Sequence, residues 1–431
     1  MGKTRKKKAG LVVLVSLLLW APALPAGAEP PAPNLNLAQA VELALRQHPS
    51  VKAAAEQVKA GKTKIGQARS AYLPQVALSA GYLRANNFQP QFGKRFDYYD
   101  YNASLNLSQN IYDFGRTAGQ VSAARGNVGS LQQDYQLSRQ TLVLRVKSAY
   151  WGLLATRRVL RATQEAVRDR EALLRQASEF YAEGVKAKLD VTKAQADLAS
   201  ARSDLIKAEN DVALAWEELQ NSLGQELPPE TVIQDELEAV APSPKLSAAL
   251  AQAFDRRPEW LRLKAQRQVG EGSLQTAFAG YLPSVSGLAS YGYIEQALPP
   301  EERFWTAGVT VNLPLFTGFL TREQVAEART NLRVLDENEA DTRLEITKEV
   351  KEAVLNVTDG EGRVVAAREA LAAARENLRV AETRYREGIG TIIEVTDAQA
   401  QAYQSETAYA QALYNLKISQ AALDKAVGTP Y

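Results

Sequence analysis

Two glycine-broken stretches place polar side chains where they could act together. In "RYREGIGTIIEVTDAQAQ" (384–401), Tyr385 precedes Gly388, Ile389 and Gly390, and Thr391, Glu394 and Asp397 follow. An earlier stretch, "FYAEGVKAKLDVTKAQAD" (180–197), repeats the pattern with Tyr181, Gly184, Val185 and Asp190. Thr391 and Glu394 have the spacing of a capping box, which satisfies free N–H groups at a helix start. Gly388 and Gly390 suit a turn between two helices. Asp397 lies one helical turn further on and no cap needs it. It is either a solvated surface acid or the second of two acids on one face. If three copies surrounded an axis, each acid would form a ring of like charge. Such rings favour cations and raise carboxylate pKa by mutual repulsion.

Catalytic chemistry is hard to build from the remaining residues. The chain has no cysteine, which excludes disulfides, thiolate metal sites and a lipid-bearing N-terminal cysteine. Its one histidine, His48, stands before Pro49 and reads as a residue at a helix boundary. This composition argues against a zinc or haem enzyme, and no nucleophile–base set or phosphate-binding loop is visible. The expectation is a protein with no cofactor and no enzymatic activity.

"MGKTRKKK" followed by "AGLVVLVSLLLW" and "PAGA" has the basic, apolar and small-residue parts of a secretory signal peptide, residues 1–28. The apolar run is short for a membrane anchor, which needs roughly 20 residues. Five of the 51 basic residues lie in this leader, so the net charge changes from +2 to −3 on its removal. No basic tract is left for nucleic acid.

The rest of the chain is a duplication. His48-Pro49 matches Arg257-Pro258 and "AYLP" (71–74) matches "GYLP" (280–283) at a shift of 209. Tyr181 to Gly184 match Tyr385 to Gly388, and Asp190-Val191 matches Glu394-Val395, at a shift of 204. A constant offset over such distances marks one structural unit used twice. We divide the chain into a first repeat, 29–226, a Pro-rich linker, 227–245, and a second repeat, 246–431.

Each repeat contains period-two segments. In "YNASLNLS" (101–108) Tyr101, Ala103, Leu105 and Leu107 oppose Asn102, Ser104, Asn106 and Ser108. In "WTAGVTVNL" (305–313) Trp305, Ala307, Val309, Val311 and Leu313 oppose Thr306, Gly308, Thr310 and Asn312. These strands fall in hairpins at about 74–112 and 283–315. A half-buried sheet packed on helices would alternate in the same way. The polar faces, however, carry almost no charge and aromatics cluster at the strand ends, the pattern of an outer-membrane barrel. Four strands cannot close a barrel, so several chains must contribute. A dimer would supply eight strands and a trimer twelve.

Between the strands lie long helical segments, about 117–222 and 319–427. In the first repeat Val191, Ala194, Leu198, Ala201, Leu205, Ala208, Val212, Ala215 and Leu219 are spaced three and four apart. In the second, Val395, Ala398, Ala402, Ser405, Tyr409, Ala412, Leu416, Ser419 and Leu423 occupy the same places. This is a coiled-coil seam with small residues at alternate positions. A periplasmic coiled-coil structural or adaptor protein would share it. Such a protein does not explain the duplication or the lipid-compatible strands.

Together with "LNLAQAVELALRQHP" (35–49), "AYLP", "NIYDFGR" (110–116), "YAEGVKAKLDV" and "YREGIGTIIEVTDAQ", this order resembles the TolC-like outer-membrane factor family. The resemblance implies a mainly α fold with a β-barrel portion. It implies a homotrimer with a twelve-stranded barrel in outer-membrane lipid and an α-helical tunnel in the periplasm of a Gram-negative-type bacterium. The implied function is an exit duct for tripartite efflux or type I secretion, joined to an inner-membrane pump through a periplasmic adaptor. Gly184, Val185, Gly388, Ile389 and Gly390 then match the tips that meet the adaptor. Glu394 and Asp397 match the acids at the periplasmic constriction, and Tyr385 with Asp190 a pair that holds it closed. Gly390 stands where the best-known member has an arginine in that network. Lys186 and Lys188 on the partner turn are the candidates to replace it.

Overall fold

The computed structural model describes residues 34–238, 245–295 and 302–431. The signal peptide expected at 1–28, and 239–244 of the Pro-rich linker, lie outside them. In the first half, strand β1 (Asn34–Leu35) leads into helices α1 (Leu37–Gln47) and α2 (Pro49–Arg69). Strands β2 (Gln75–Gln89) and β3 (Lys94–Tyr112) form a hairpin, followed by α3 (Arg116–Ala182) and α4 (Lys188–Leu223). After β4 (Val232–Ile233) the order repeats: α5 (Leu246–Arg256), α6 (Pro258–Phe278), β5 (Ser284–Glu295), β6 (Arg303–Asn312), α7 (Leu320–Arg386) and α8 (Ile392–Ala426).

Local chemistry sets these boundaries. Pro49 and Pro258 open α2 and α6, where proline's missing N–H costs nothing. His48 caps α2 by accepting from the Ser50 N–H at 3.2 Å. Burial and the nearby Arg145 guanidinium lower its pKa, which favours the neutral ring. The turn from β3 into α3 passes through Phe114 and Gly115, both at positive φ. Asp113 organises that turn, accepting from Thr117 N at 2.9 Å and Asn110 Nδ2 at 2.8 Å. Burial opposes ionisation of Asp113, but these hydrogen bonds outweigh it and lower its pKa.

The four long strands form one antiparallel sheet in the order β2-β3-β5-β6. Its register gathers the two faces predicted from the alternation. Leu78 pairs with Leu105, Leu105 with Tyr291 and Tyr291 with Trp305, so the apolar row crosses all four strands. Ser79 pairs with Ser104, Ser104 with Gly292 and Ser290 with Thr306 on the opposite face. There Asn106 donates to Ser79 Oγ and Ser104 Oγ, and Ser290 donates to Asn106 Oδ1 at 2.8 Å. Aromatic rings border the apolar face at both ends. Tyr82 lies 5.0 Å from Tyr101 at one end, and at the other Tyr112 meets Phe114 at 4.6 Å and Phe316 meets Phe319 at 5.5 Å.

Helices α3 and α7 have 67 residues each, about 100 Å at 1.5 Å per residue. The helix α3 is the spine of the fold, packing on α2, α4, α6 and α8, while α7 packs on α6 and α8. The seam residues Ala194, Leu198, Ala201, Ala208 and Leu219 of α4 are buried, as are Val395, Ala398, Leu416 and Leu423 of α8. The main core lies midway along the helices, where α1, α5, β1 and β4 wrap them. There Tyr150 is fully buried, and its hydroxyl donates to Gln234 O at 2.7 Å with Leu35 O at 3.1 Å. The parallel pairing of Asn34 with Val232 and Leu35 with Ile233 stitches the linker to the segment that leads into α1. No helix among the described residues is long and apolar enough to cross a membrane.

Candidate functional site

The helix tips opposite the sheet bring the predicted polar residues together. Both turns end a helix in the same way. Gly184 and Gly388 adopt φ of 75° and 78°, the left-handed region that glycine enters without a Cβ clash. The Val185 N–H then reaches Phe180 O at 2.8 Å, and the Ile389 N–H reaches Arg384 O at 3.1 Å. These are Schellman closures, which satisfy the last free carbonyls of each helix. They leave Val185 and Ile389 projecting, 58% and 68% exposed.

Thr391 caps α8, its Oγ1 accepting from Glu394 N at 3.3 Å. The reciprocal half of the expected capping box does not form. The Glu394 carboxylate instead faces Arg384, with Nε 3.5 Å from Oε2. Both partners are about half exposed, so the pair adds little to stability. Asp397 is exposed on the same helix one turn on.

Tyr385 is fully buried among Leu173, Ala177, Ala194, Ala381, Ile392 and Val395 at the junction of four helices. Its hydroxyl donates to Asp190 Oδ2 at 3.3 Å, tying the end of α7 to the start of α4. Burial raises its pKa to about 12, and the Asp190 charge adds to the shift. The Phe180 ring lies 5.8 Å from its ring, tilted by 54°.

Lys186 completes the arrangement. Its ammonium lies 5.5 Å from the Tyr385 ring centroid, a cation–π contact, and donates to Gly390 O at 3.0 Å and Gly388 O at 3.5 Å. Lys188 is exposed and makes no ion pair among the described residues. Gly390 is buried, and a Cβ there would meet Tyr385 N at 2.9 Å and Arg384 C at 3.0 Å. An arginine at 390 does not fit this turn. The sequence offers Lys186 as a candidate for the arginine's place but not its acceptors, and it does not offer the Arg384–Glu394 pair. The repeat alignment carried a signal for the Lys186 contacts, because a shift of 204 sets Lys186 against Gly390.

A four-stranded sheet with one apolar face, set at the end of paired helical hairpins with charged and apolar tips, defines the class of outer-membrane channel subunits. The chain belongs to the outer membrane efflux protein family, whose model matches residues 40–225 and 249–429. It is 26% identical over 376 residues to the outer membrane protein TolC of Escherichia coli, covering 83% of this chain and 75% of that one. It is 27% identical over 335 residues to the protein CyaE of Bordetella pertussis, covering 73% of this chain and 68% of that one. Its fold superposes on the Campylobacter jejuni CmeC outer membrane channel with a TM-score of 0.80 at 20% identity, covering 91% of this chain and 85% of that one. Membership places the protein in the outer membrane, in a family of channels rather than catalysts.

Proposed function

We propose that three copies assemble into an exit duct, with a twelve-stranded barrel in the outer membrane and a helical tunnel reaching through the periplasm. The observation that carries this reading is the sheet. Its outer strands β2 and β6 each have one unpaired edge, which lipid does not tolerate. Pairing β6 of one copy with β2 of the next removes every edge, and twelve strands enclose an aqueous lumen lined by the uncharged Ser, Thr and Asn face. Substrates would pass passively from an inner-membrane pump, through a periplasmic adaptor that meets the tips at Val185, Gly184, Gly388, Ile389 and Gly390. The exposed apolar side chains of Val185 and Ile389 suit such docking. Both tripartite efflux and type I secretion fit this geometry. Tip closure rests on Tyr385, Asp190 and Lys186, and Glu394 and Asp397 supply the acidic ring of the constriction.

Planar bilayer recording tests the reading. Purified protein should give small, cation-selective conductance that multivalent cations block from the side of the tips. Replacing Glu394 and Asp397 with alanine should weaken that block by at least tenfold, as removing like-charged ring carboxylates demands. Large anion-selective pores, or block unchanged in the variant, would overturn the acidic constriction.

A further inference from the structure

The two repeats meet within one chain where α3 packs on α6 and α8, leaving α4 and α7 without an extended mutual interface. Those two helices carry apolar side chains with no cover. Ile206 and Leu214 of α4 are 69% and 60% exposed, and Leu344 and Leu355 of α7 are 70% and 67% exposed. Under the repeat relation, α7 stands where α3 does and α4 where α8 does. The α3–α8 packing inside a chain therefore has a counterpart between α7 of one copy and α4 of the next.

Applied at the tip, the same exchange turns Tyr385 into Tyr181, Asp190 into Glu394 and Phe180 into Arg384. Inside the chain Tyr385 is satisfied by Asp190, whereas Tyr181 is exposed and Glu394 faces only Arg384. We propose that Tyr181 of one copy donates its hydroxyl to Glu394 of a second copy, with the Arg384 guanidinium of that second copy over the Tyr181 ring. The chemistry is complementary: a phenol donor, a carboxylate acceptor and a cation placed to stack on the ring. The joint has one difference from its intrachain counterpart. The lysine that bridges the two turns within a chain, Lys186, corresponds to Gly390, which has no side chain to give. The joint between copies is held by fewer bonds and parts first when the tips spread.

This inference rests on the ring assembly proposed above, and its test separates the two. The chain has no cysteine, so introduced pairs report alone. A tyrosine–carboxylate contact holds its two Cβ atoms too far apart for a disulfide, so a bismaleimide with a short spacer is the probe. It should link Tyr181→Cys with Glu394→Cys into covalent dimers and trimers on denaturing gels. In Tyr385→Cys with Asp190→Cys it should consume both thiols within each chain and leave the protein monomeric on the gel. If untreated protein sediments as a trimer, yet the 181–394 pair stays monomeric while the 385–190 pair loses its thiols, the joint is wrong and the channel stands. If no oligomer forms at all, both readings fall. In bilayers, Tyr181→Phe keeps the ring and loses the donor. It should raise open probability roughly tenfold, the scale of one hydrogen bond to a charged acceptor. No change in open probability would overturn the joint even if the cysteines cross-link.

Discussion

Tyr385 shows how one side chain joins two repeats. Its ring is enclosed by four helices, and its single polar atom is answered by Asp190 on the other repeat. Replacing it with phenylalanine keeps the packing and removes the bond, at a cost of about 1–2 kcal/mol. Asp190→Ala should cost at least as much, because the buried hydroxyl is then left without an acceptor. Thermal unfolding of the two variants checks both values and their order. The raised pKa gives a pH signature. A phenol that ionises near 12 in the folded tip and near 10 when unfolded stabilises the fold fully below pH 10. That contribution declines as pH rises from 10 through about 12, where both states are ionised. Ultraviolet difference titration should show one late tyrosine that disappears in Tyr385→Phe and moves earlier in Asp190→Asn. Glycine matters in the same turn: Gly388→Ala places a Cβ at φ 78° and should cost about 1 kcal/mol.

At the scale of elements, small residues decide how closely helices approach. Where α3 crosses α6, a Cβ on Gly272 would meet Ala123 N and Gly119 O, both at 2.6 Å. Gly272→Val should therefore force α6 away from α3, destabilising by about 1–3 kcal/mol. Circular-dichroism melts should show the loss, and Gly362→Val, at a position open to solvent, should change the midpoint far less. The same elements show what a sequence reveals. The seams of α4 and α8 and the alternation in β3 and β6 were legible because one face of each is apolar over many periods. The Gly119–Gly272 crossing was not, since glycine inside a helical run reads only as a weak helix former. Nor were β1 and β4, two residues each, too short for any period. The β2–β3 hairpin extends past β5 to Gln89 and Lys94, where Arg84, Asn86, Arg95 and Asp97 interact and apolar alternation stops. At the tip, the glycines and acids were readable by type. Lys186 was readable as a candidate, but its acceptors were not, because they are backbone carbonyls that carry no residue signature.

For the whole molecule, the sheet must present one face to lipid and the other to water, and neighbouring residues on one strand separate these roles. Val309 and Thr310 are consecutive in β6, so their side chains point to opposite faces. Val309 pairs with Gly287 on the apolar face and Thr310 with Ser286 on the polar face. They sit at the same depth, so a charge placed at either one experiences the same distance from the strand ends. On the lipid face, Val309→Arg should cost roughly 2–4 kcal/mol per copy near the bilayer midplane. Three copies multiply that cost, and the protein should fail to reach the outer-membrane fraction as an assembled species. On the lumen face, Thr310→Arg meets water and should leave assembly intact. Three added guanidinium groups around the passage should shift conductance away from cations and towards anions. A soluble sheet packed on another protein surface predicts a different pair of outcomes, with Val309→Arg secreted in soluble form and no conductance from either variant. Membrane fractionation with bilayer recording of both variants thus distinguishes the faces. Equal tolerance of arginine at 309 and 310 would remove the barrel from the structure's assembly.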